Sequence, residues 1–172
     1  PDMLAKQRLS RRSFLAGAAT AGLTVGFHVP KRGLEVAAAT SSAPEINAWV
    51  VVKPDNGVVI RVARSEMGQG TLTGLAQLVA EELECDWSKV TTEFPTPGQN
   101  LARNRVWKDF GTGGSRGIRT SHDYVRQGGA QAREMLKAAA AKAWNVPVEE
   151  VVAANSRLSH TKSRRTATFG RM

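Results

Sequence analysis

Two glycine-rich stretches in the middle of the chain have residues suited to holding an anion. Residues 65–71 read Ser-Glu-Met-Gly-Gln-Gly-Thr, and residues 111–117 read Gly-Thr-Gly-Gly-Ser-Arg-Gly. Each comes just before a predicted helix, and the first backbone N–H groups of a helix have no partner within it. Glycines let a ligand come close to those groups, so both stretches predict anion-binding turns. A tight turn that binds nothing is the alternative for either stretch taken alone.

Side chains near the two turns add further hydrogen-bond donors. Hydroxyl groups are present at Thr71, Thr112 and Ser115, and Arg116 carries a guanidinium. Such groups commonly complete phosphate sites. Neither stretch has the spacing of a dinucleotide-binding fingerprint or a P-loop, which excludes the common nucleotide motifs. Two turns of this kind in one chain predict that a single extended anion lies between two helix starts.

Other residues that could do chemistry are isolated in the sequence. The histidines His28, His122 and His160 lie far apart, and Cys85 is the only cysteine, so no metal site is predicted. Glu66 beside the first turn could serve as a general base, but no partner for it is evident. Ser115 has no neighbouring His or Asp and is not predicted to be a nucleophile. We therefore assign no catalytic residue to this chain.

The first turn is positioned by a predicted hairpin and a predicted helix. Apolar, β-rich runs at 48–53 and 58–63 flank Pro-Asp-Asn-Gly, a sequence that favours a tight antiparallel turn. The helix starts at Thr71, and its apolar residues recur at helical spacing through Leu83. The chain therefore predicts a strand that leads into the glycine turn and a helix that leaves it.

The rest of the chain predicts further strand–helix units and an α+β fold. We expect a strand at 90–94 and a long helix at 118–144. Between them, residues 98–112 predict a polar surface or ligand-side loop, with Trp107 and Phe110 as its large apolar anchors. Gly128 and Gly129 lie inside that helix and indicate either close contact with another backbone or a kink. A short turn or helical piece near 148–152 and a hairpin over 155–169 complete the prediction.

The N-terminal segment has the layout of an export signal. Arg11 and Arg12 precede Ser-Phe-Leu, a weakly apolar run follows at 14–27, and small residues occur at 37–39. This order is typical of an export signal, and the paired arginines resemble the twin-arginine type. The alternative is a basic amphipathic helix. We predict an export signal at 1–39, a polar linker at 40–47 and a folded part at 48–172. The export signal predicts a periplasmic location, either free or associated with the membrane.

The chain is basic, which raises the question of a polyanionic partner. Its formal net charge is +9, of which the first 39 residues contribute +4. The remaining basic residues are scattered, and no nucleic-acid-binding signature accompanies them. We therefore expect no nucleic-acid partner, although salt-sensitive nucleic-acid binding is the alternative to test. A polyanionic ligand, an acidic partner or a membrane surface accounts for the excess charge better than nucleic acid does.

The two turns, in this order and spacing, resemble those of the molybdenum hydroxylases, the family of xanthine dehydrogenase and aldehyde oxidase. The motifs are the Ser-Glu-Met-Gly-Gln-Gly run, the helix that ends before Asp86-Trp87-Ser88, and the Gly-Thr-Gly-Gly-Ser-Arg run. They look most like the large subunit of the isoquinoline 1-oxidoreductase type. The resemblance implies that the folded part of this chain belongs to a larger molybdopterin-binding domain. It also implies that the following residues bind the cofactor: Met67, Gly68, Gln69, Gly70, Gly113, Gly114, Ser115 and Arg116.

The same resemblance implies a molybdenum-dependent oxidoreductase that acts on an aldehyde or an N-heterocycle. Its cofactor would be molybdopterin cytosine dinucleotide. Its partners would be the rest of the subunit and a small [2Fe-2S] subunit. Some such complexes would also include a membrane cytochrome subunit. The glutamate base of the family has no counterpart in these 172 residues, so this chain alone is expected to be inactive. Relatives often carry a hydroxyl residue at the position of Gly117. The resemblance therefore implies that this chain lacks one contact to a phosphate. The alternative is that the protein is not an enzyme but a non-catalytic exported binding or assembly module of a larger redox complex.

Overall fold

The computed structural model describes residues 45–172, which form two small sheets and the helices between them. This is the α+β class that the sequence predicts. Short 3₁₀ turns occur at Trp87–Lys89, Val148–Glu150 and Phe169–Arg171. The longer elements are β1 (Val50–Val52), β2 (Val58–Arg61), α1 (Thr71–Leu83), β3 (Val90–Glu93), α2 (Pro97–Ala102), α3 (Arg116–Arg119), α4 (His122–Trp144), β4 (Val152–Ala154), β5 (Arg157–His160) and β6 (Arg165–Thr168).

The first sheet contains the predicted N-terminal hairpin. β2 is its central strand, with β1 antiparallel on one side and β3 parallel on the other. The hairpin turn is closed by the N–H of Lys53, which donates to the carbonyl oxygen of Gly57 at 2.8 Å, and Asn56 adopts φ 69°. Parallel strands need a crossover, and α1 provides it between β2 and β3. The first glycine-rich turn lies at the entrance to that crossover.

The second sheet contains the predicted C-terminal hairpin and one further strand. β5 pairs antiparallel with β6, and Leu158 lies opposite Ala167. β4 pairs with the other edge of β5, with Val152 opposite Ser159. The sequence analysis did not predict β4, because three residues are too few to show an alternating pattern.

The packing of α1 against α4 explains the adjacent glycines. A Cβ atom at Gly129 would lie 2.5 Å from the carbonyl oxygen of Val79 in α1, so only glycine fits there. A Cβ atom at Gly128 would lie 3.0 Å from the indole ring of Trp49. α4 continues through both residues from His122 to Trp144. Of the two predictions for this pair, close contact with another backbone is confirmed.

One hydrophobic core joins the first sheet, the pair of long helices and β5. Both faces of β1 and β2 are buried, because the chain covers the first sheet on each side. Phe169, just after β6, closes the core beside the hairpin turn at Asn56. The fully buried members include Val50, Val52, Val58, Ile60, Leu75, Val79, Leu83, Leu136, Leu158 and Phe169.

The prediction of one helix over 118–144 is wrong at its N-terminal end. α3 ends at Arg119 and α4 begins at His122, and the buried Ser121 lies between them. The hydroxyl of Ser121 is 2.8 Å from Nε of Arg64 and 2.8 Å from the hydroxyl of Tyr124. These hydrogen bonds hold Ser121 at φ −109° and ψ −18°, outside regular helix geometry.

The prediction of a surface loop over 98–112 is also wrong in part. Thr96 and Gln99 form a capping box, in which each side chain accepts from the other's backbone N–H, and this starts α2. Trp107 is completely buried, and its backbone N–H donates to Oδ1 of Asn100 at 3.0 Å. The segment therefore contains a helix that the sequence analysis did not predict, whereas Trp107 is confirmed as an apolar anchor.

The predicted signal at 1–39 and most of the linker at 40–47 lie outside the described residues. At the end of the linker, Glu45 forms ion pairs with Arg61 at 2.8 Å and with Arg103 at 2.5 Å. Asn47 donates through Nδ2 to the carbonyl oxygen of Gly128 at 2.8 Å. In the segment 45–172, no helix has the length and apolar character required to cross a bilayer.

Candidate functional site

The two glycine-rich turns meet at one groove, with a volume of about 510 Å³. Ligand sites in proteins commonly have volumes of about 300–1,000 Å³. The groove is open to solvent, and the side chain of Met67 at its rim is 74% exposed. The structure thus brings together two turns that are more than forty residues apart in the chain. The groove is lined by Met67, Gln69, Thr71, Thr112, Gly113, Gly114, Ser115, Gly117 and Ile118.

Five of the eight predicted cofactor-binding residues line this groove, and Gly68, Gly70 and Arg116 do not. Gly68 and Gly70 have φ values of 92° and 80°, which L side chains rarely adopt. A Cβ atom at either position would meet nothing within 4 Å. Glycine is therefore needed at 68 and 70 for the path of the backbone.

Glu66 occupies the amide groups that we expected to be free. Its Oε1 accepts the N–H groups of Gly68 at 2.7 Å and Gly70 at 3.0 Å. Its Oε2 accepts the N–H of Leu72 at 2.8 Å. The expectation that these first-turn amides point outward unpaired is wrong, because a side chain of the same turn already binds them.

Gln69 connects the first turn to the second. Its side-chain nitrogen, Nε2, lies 2.9 Å from Oγ1 of Thr71 and 3.3 Å from Oγ1 of Thr112. Nε2 also donates to the carbonyl oxygen of Ser65 at 2.9 Å, and Oε1 accepts the N–H of Met67 at 2.6 Å. All polar atoms of this amide are engaged, so its orientation in the groove is fixed.

The second turn also depends on left-handed backbone geometry. Gly114 has φ 68° and Ser115 has φ 55°, and a Cβ atom at Gly113 or Gly114 would meet nothing within 4 Å. Arg116 bends back over this turn, with Nε donating to the carbonyl oxygen of Gly113 at 3.0 Å. Its Nη1 lies 3.9 Å from Oδ2 of Asp109. The structure therefore places Arg116 beside the groove.

Gly117 lies where the two turns touch. A Cβ atom there would lie 2.7 Å from Oγ1 of Thr112 and 2.8 Å from Oγ1 of Thr71. Thr71 is almost completely buried and has no room to withdraw. A hydroxyl residue at 117 would clash with two hydroxyls already present. Thr71 and Thr112 therefore supply hydroxyl groups at this point of the groove.

Arg64 is a buried residue of the site that the sequence analysis missed. Its side chain is 3% exposed, and Nη1 donates to Oδ1 of Asp109 at 2.7 Å and to the carbonyl oxygen of Gly111 at 2.6 Å. Nε donates to Ser121 at 2.8 Å and Nη2 to Thr120 at 3.0 Å. The guanidinium thus joins the chain after β2 to both ends of the second turn. The available signal was an arginine within an otherwise buried stretch.

Asp109 is the anionic partner of Arg64. The hydrogen bond from Arg64, followed by that from the N–H of Gly111 at 2.6 Å, holds the pKa of Asp109 below its usual value. The carboxylate is therefore ionised at neutral pH and keeps residues 109–111 against Arg64.

The remaining candidate residues lie in unrelated surroundings. His122 contacts Asp123 at 3.1 Å, and His160 lies between Glu150 and Ser163 in the second sheet. His28 is outside the described residues. Burial raises the pKa of the Cys85 thiol to about 12. Among residues 45–172, no three His, Cys, Asp or Glu side chains are grouped to hold a metal ion.

Comparison with known proteins shows the family to which this chain belongs. A family model described as "Molybdopterin cofactor-binding domain" matches residues 4–172. The chain therefore belongs to the molybdopterin cofactor-binding domain family.

Two curated relatives narrow the comparison. The chain is 36% identical over 176 residues to isoquinoline 1-oxidoreductase subunit beta of Brevundimonas diminuta, covering 100% of this chain and 22% of the relative. It is 31% identical over 156 residues to membrane-bound aldehyde dehydrogenase [pyrroloquinoline-quinone] of Gluconacetobacter polyoxogenes. That match covers 88% of this chain and 19% of the relative. The chain thus spans about a fifth of the length of these relatives.

Solved structures show the same fold at lower identity. Quinoline 2-oxidoreductase from Pseudomonas putida 86 matches with a TM-score of 0.54 and 21% identity, over 71% of this chain and 15% of that one. CO dehydrogenase from Oligotropha carboxidovorans matches with a TM-score of 0.54 and 20% identity, over 70% of this chain and 14% of that one. The sequence-based resemblance to this family is confirmed.

Proposed function

We propose that this chain is a portion of the molybdopterin-binding subunit of an exported molybdenum hydroxylase that oxidises an aldehyde or an N-heterocycle. The convergence of two glycine turns on one groove, in a chain of this family, carries the proposal. The two curated relatives are named for an N-heterocycle and for aldehydes, which supports these two substrate classes.

The groove fits a long cofactor that carries phosphates. Gly113 and Gly114 leave the second turn open for close approach, and Ser115, Thr71 and Thr112 offer hydroxyl groups. Gln69 stands between the two turns with its amide fixed. These residues would hold molybdopterin cytosine dinucleotide, with Met67 covering it from the rim and Arg116 adding positive charge nearby. When bound, the cofactor supplies the metal centre for oxidation and hydroxylation of the substrate.

The residues of this chain bind and orient, and the proton-transfer chemistry lies elsewhere. A general base needs a free acceptor within reach of the proton that it removes. Glu66 directly precedes Met67, which lines the groove, and both of its carboxylate oxygens already accept backbone N–H groups. We therefore place the base on the rest of the subunit.

The proposed partners are the rest of the subunit, a small [2Fe-2S] subunit and, optionally, a membrane cytochrome. One relative is named as a beta subunit, which supports a multi-subunit assembly. Cys85 is the only cysteine in these 172 residues, so iron–sulfur clusters need cysteines from outside this segment.

Metal and cofactor analysis of the complete purified protein tests the proposal. We expect about one molybdenum atom per polypeptide and release of a cytosine nucleotide on acid hydrolysis. Quinone should be measured in the same sample, because one relative is named for pyrroloquinoline quinone. A protein without molybdenum and cytosine nucleotide would instead be a non-catalytic assembly module, and the proposal would fail.

The proposed periplasmic location has its own test. Replacing Arg11 and Arg12 by lysine should leave the protein in the cytoplasm, because the twin-arginine pair is read by the export machinery. Lysine preserves the charge, so a basic amphipathic helix would function equally well with either residue. Unchanged fractionation of the double variant would contradict export by this route.

A further inference from the structure

The first turn already contains an anion, the carboxylate of Glu66. Two oxygens accept three backbone N–H groups, from Gly68 at 2.7 Å, Gly70 at 3.0 Å and Leu72 at 2.8 Å. These amides surround the N-terminus of α1, where an external phosphate or carboxylate would otherwise be favoured. A charged acceptor on several amides forms stronger hydrogen bonds than a neutral one.

Glu66 also performs the task of a missing helix cap. The residue before α1 is Gly70, which has no side chain to accept an N–H group of the first turn. Glu66, four residues earlier, reaches over the loop to the N–H of Leu72. The loop from 67 to 70 is thereby closed on itself, with its two positive-φ glycines held by one carboxylate.

The closed loop determines where Gln69 points. Gln69 lies between Gly68 and Gly70, the two residues whose N–H groups bind Oε1 of Glu66. Its side chain crosses to Thr71 and Thr112 at the floor of the groove. Without the carboxylate, three amides would lose their acceptor, and both glycines would regain wide conformational freedom. The orientation of Gln69 would then no longer be set before a ligand arrives.

We propose that Glu66 is a positioning residue whose carboxylate acts as the resident anion of the first turn and presets Gln69 for the ligand of the groove. The part of this inference that concerns cofactor retention rests on the proposed function. The hydrogen bonds from Leu72 and then Gly70 lower the pKa of Glu66, in agreement with an ionised carboxylate at neutral pH.

The test uses the complete protein carrying Glu66→Ala, with Glu81→Ala as the matched control. Glu81 is an exposed glutamate near the C-terminal end of α1, so its replacement removes the same charge without touching the amides at the N-terminus. The alanine at 66 leaves the three amides open to a small anion. We expect excess sodium formate to raise the melting temperature of Glu66→Ala above that in sodium chloride of equal ionic strength. The parent and Glu81→Ala should show no such difference.

Molybdenum content gives the second readout. Glu66→Ala should lose about tenfold or more of its molybdenum relative to the parent, by analogy with other residues that orient metal-site ligands. Formate present during expression and purification should restore part of it. Turnover per molybdenum atom, measured in the same samples, separates a loss of cofactor from a loss of catalysis.

The outcomes separate this inference from the proposed function. If the parent contains no molybdenum, the proposed function fails, while the formate-dependent melting temperature still tests the resident anion. Glu66→Ala without any formate-specific stabilisation would overturn the inference. Full molybdenum content with turnover reduced in Glu66→Ala would also overturn it, because Glu66 would then be catalytic.

Discussion

Nε2 of Gln69 lies 3.3 Å from Oγ1 of Thr112, and this contact joins two turns that are 43 residues apart in sequence. The same nitrogen also contacts Thr71, the first residue of α1. A single amide therefore links the start of α1 to the turn that precedes α3. The groove exists as one site because these two segments are held together.

Replacing Gln69 by alanine should weaken cofactor retention with little loss of folding stability. The side chain lies at an exposed turn, and its removal breaks the link to Thr112 while the core is untouched. We expect molybdenum content to fall about tenfold. Gln77→Ala, an exposed position on α1, is the control. Equal molybdenum content in both variants would show that the link to Thr112 is dispensable.

Replacing Gly117 by alanine should push the two turns apart. The new Cβ atom would lie 2.7 to 2.9 Å from atoms of Thr112 and Thr71, well inside normal contact distance. We expect destabilisation of about 1–3 kcal/mol, typical of an overpacked site, together with loss of cofactor. Denaturant unfolding and metal analysis measure both effects. Gly113→Ala, where the new Cβ would meet nothing within 4 Å, should leave the stability nearly unchanged.

Replacing Arg64 by methionine should destabilise the protein more than any exposed substitution. The change removes donors to Ser121, Asp109, Thr120 and the carbonyl oxygen of Gly111 in a nearly fully buried position. We expect a loss of about 3 kcal/mol in the free energy of unfolding. Arg157→Met, exposed on β5, should change it by less than about 0.5 kcal/mol. Similar values for the two variants would contradict a structural role for Arg64.

Replacing Gly129 by alanine should destabilise the helix pair despite the higher helix propensity of alanine. The propensity gain is about 1 kcal/mol, whereas a Cβ atom 2.5 Å from the carbonyl oxygen of Val79 forces the helices apart. We expect a net loss of about 2 kcal/mol. Gly98→Ala in α2, whose nearest neighbour would be 3.9 Å away, is the control and should not be destabilised. Thermal unfolding of both variants decides the matter.

The pair of Asp109 and Arg64 should make stability depend on acid. The pKa of Asp109 is lowered in the folded state, so its stabilisation is complete above the unfolded pKa of about 4 and is lost as pH falls through the folded value. The gap in melting temperature between the parent and Asp109→Asn should therefore be constant near neutrality and narrow below about pH 4. The gap is modest, since Asp109 is 54% exposed. A gap that does not change with pH would contradict the ion pair.

Local signals in the sequence account for most of the elements. Asn56 and Gly57 predict their hairpin because their own backbone preferences specify the turn. The spacing of apolar residues predicts α1 because the helix buries one face. Thr96 and Gln99 also carried a readable capping box, so α2 was predictable and was overlooked.

The remaining features depend on residues distant in sequence. The break at Ser121 is stabilised by its hydrogen bond to Arg64, 57 residues earlier. Serine is a favoured N-cap residue, but the hydroxyl of Ser121 binds Arg64 and does not cap the amides of α4. Burial of Trp107 likewise depends on the segments that surround it in the fold. Pattern reasoning sees propensities within a short window, whereas these contacts form only after the chain has collapsed.

The sequence by itself determined the two glycine turns, the strand and helix around the first, and the family to which they point. The backbone geometry of glycine and the periodicity of apolar residues are local properties, so both can be predicted from the sequence. Only the tertiary structure decided how the turns are used. It placed Glu66 on the amides that had looked free, because a side chain can turn back on its own loop. It also brought Gln69 to Thr112, because the position of the second turn depends on the packing of the whole domain.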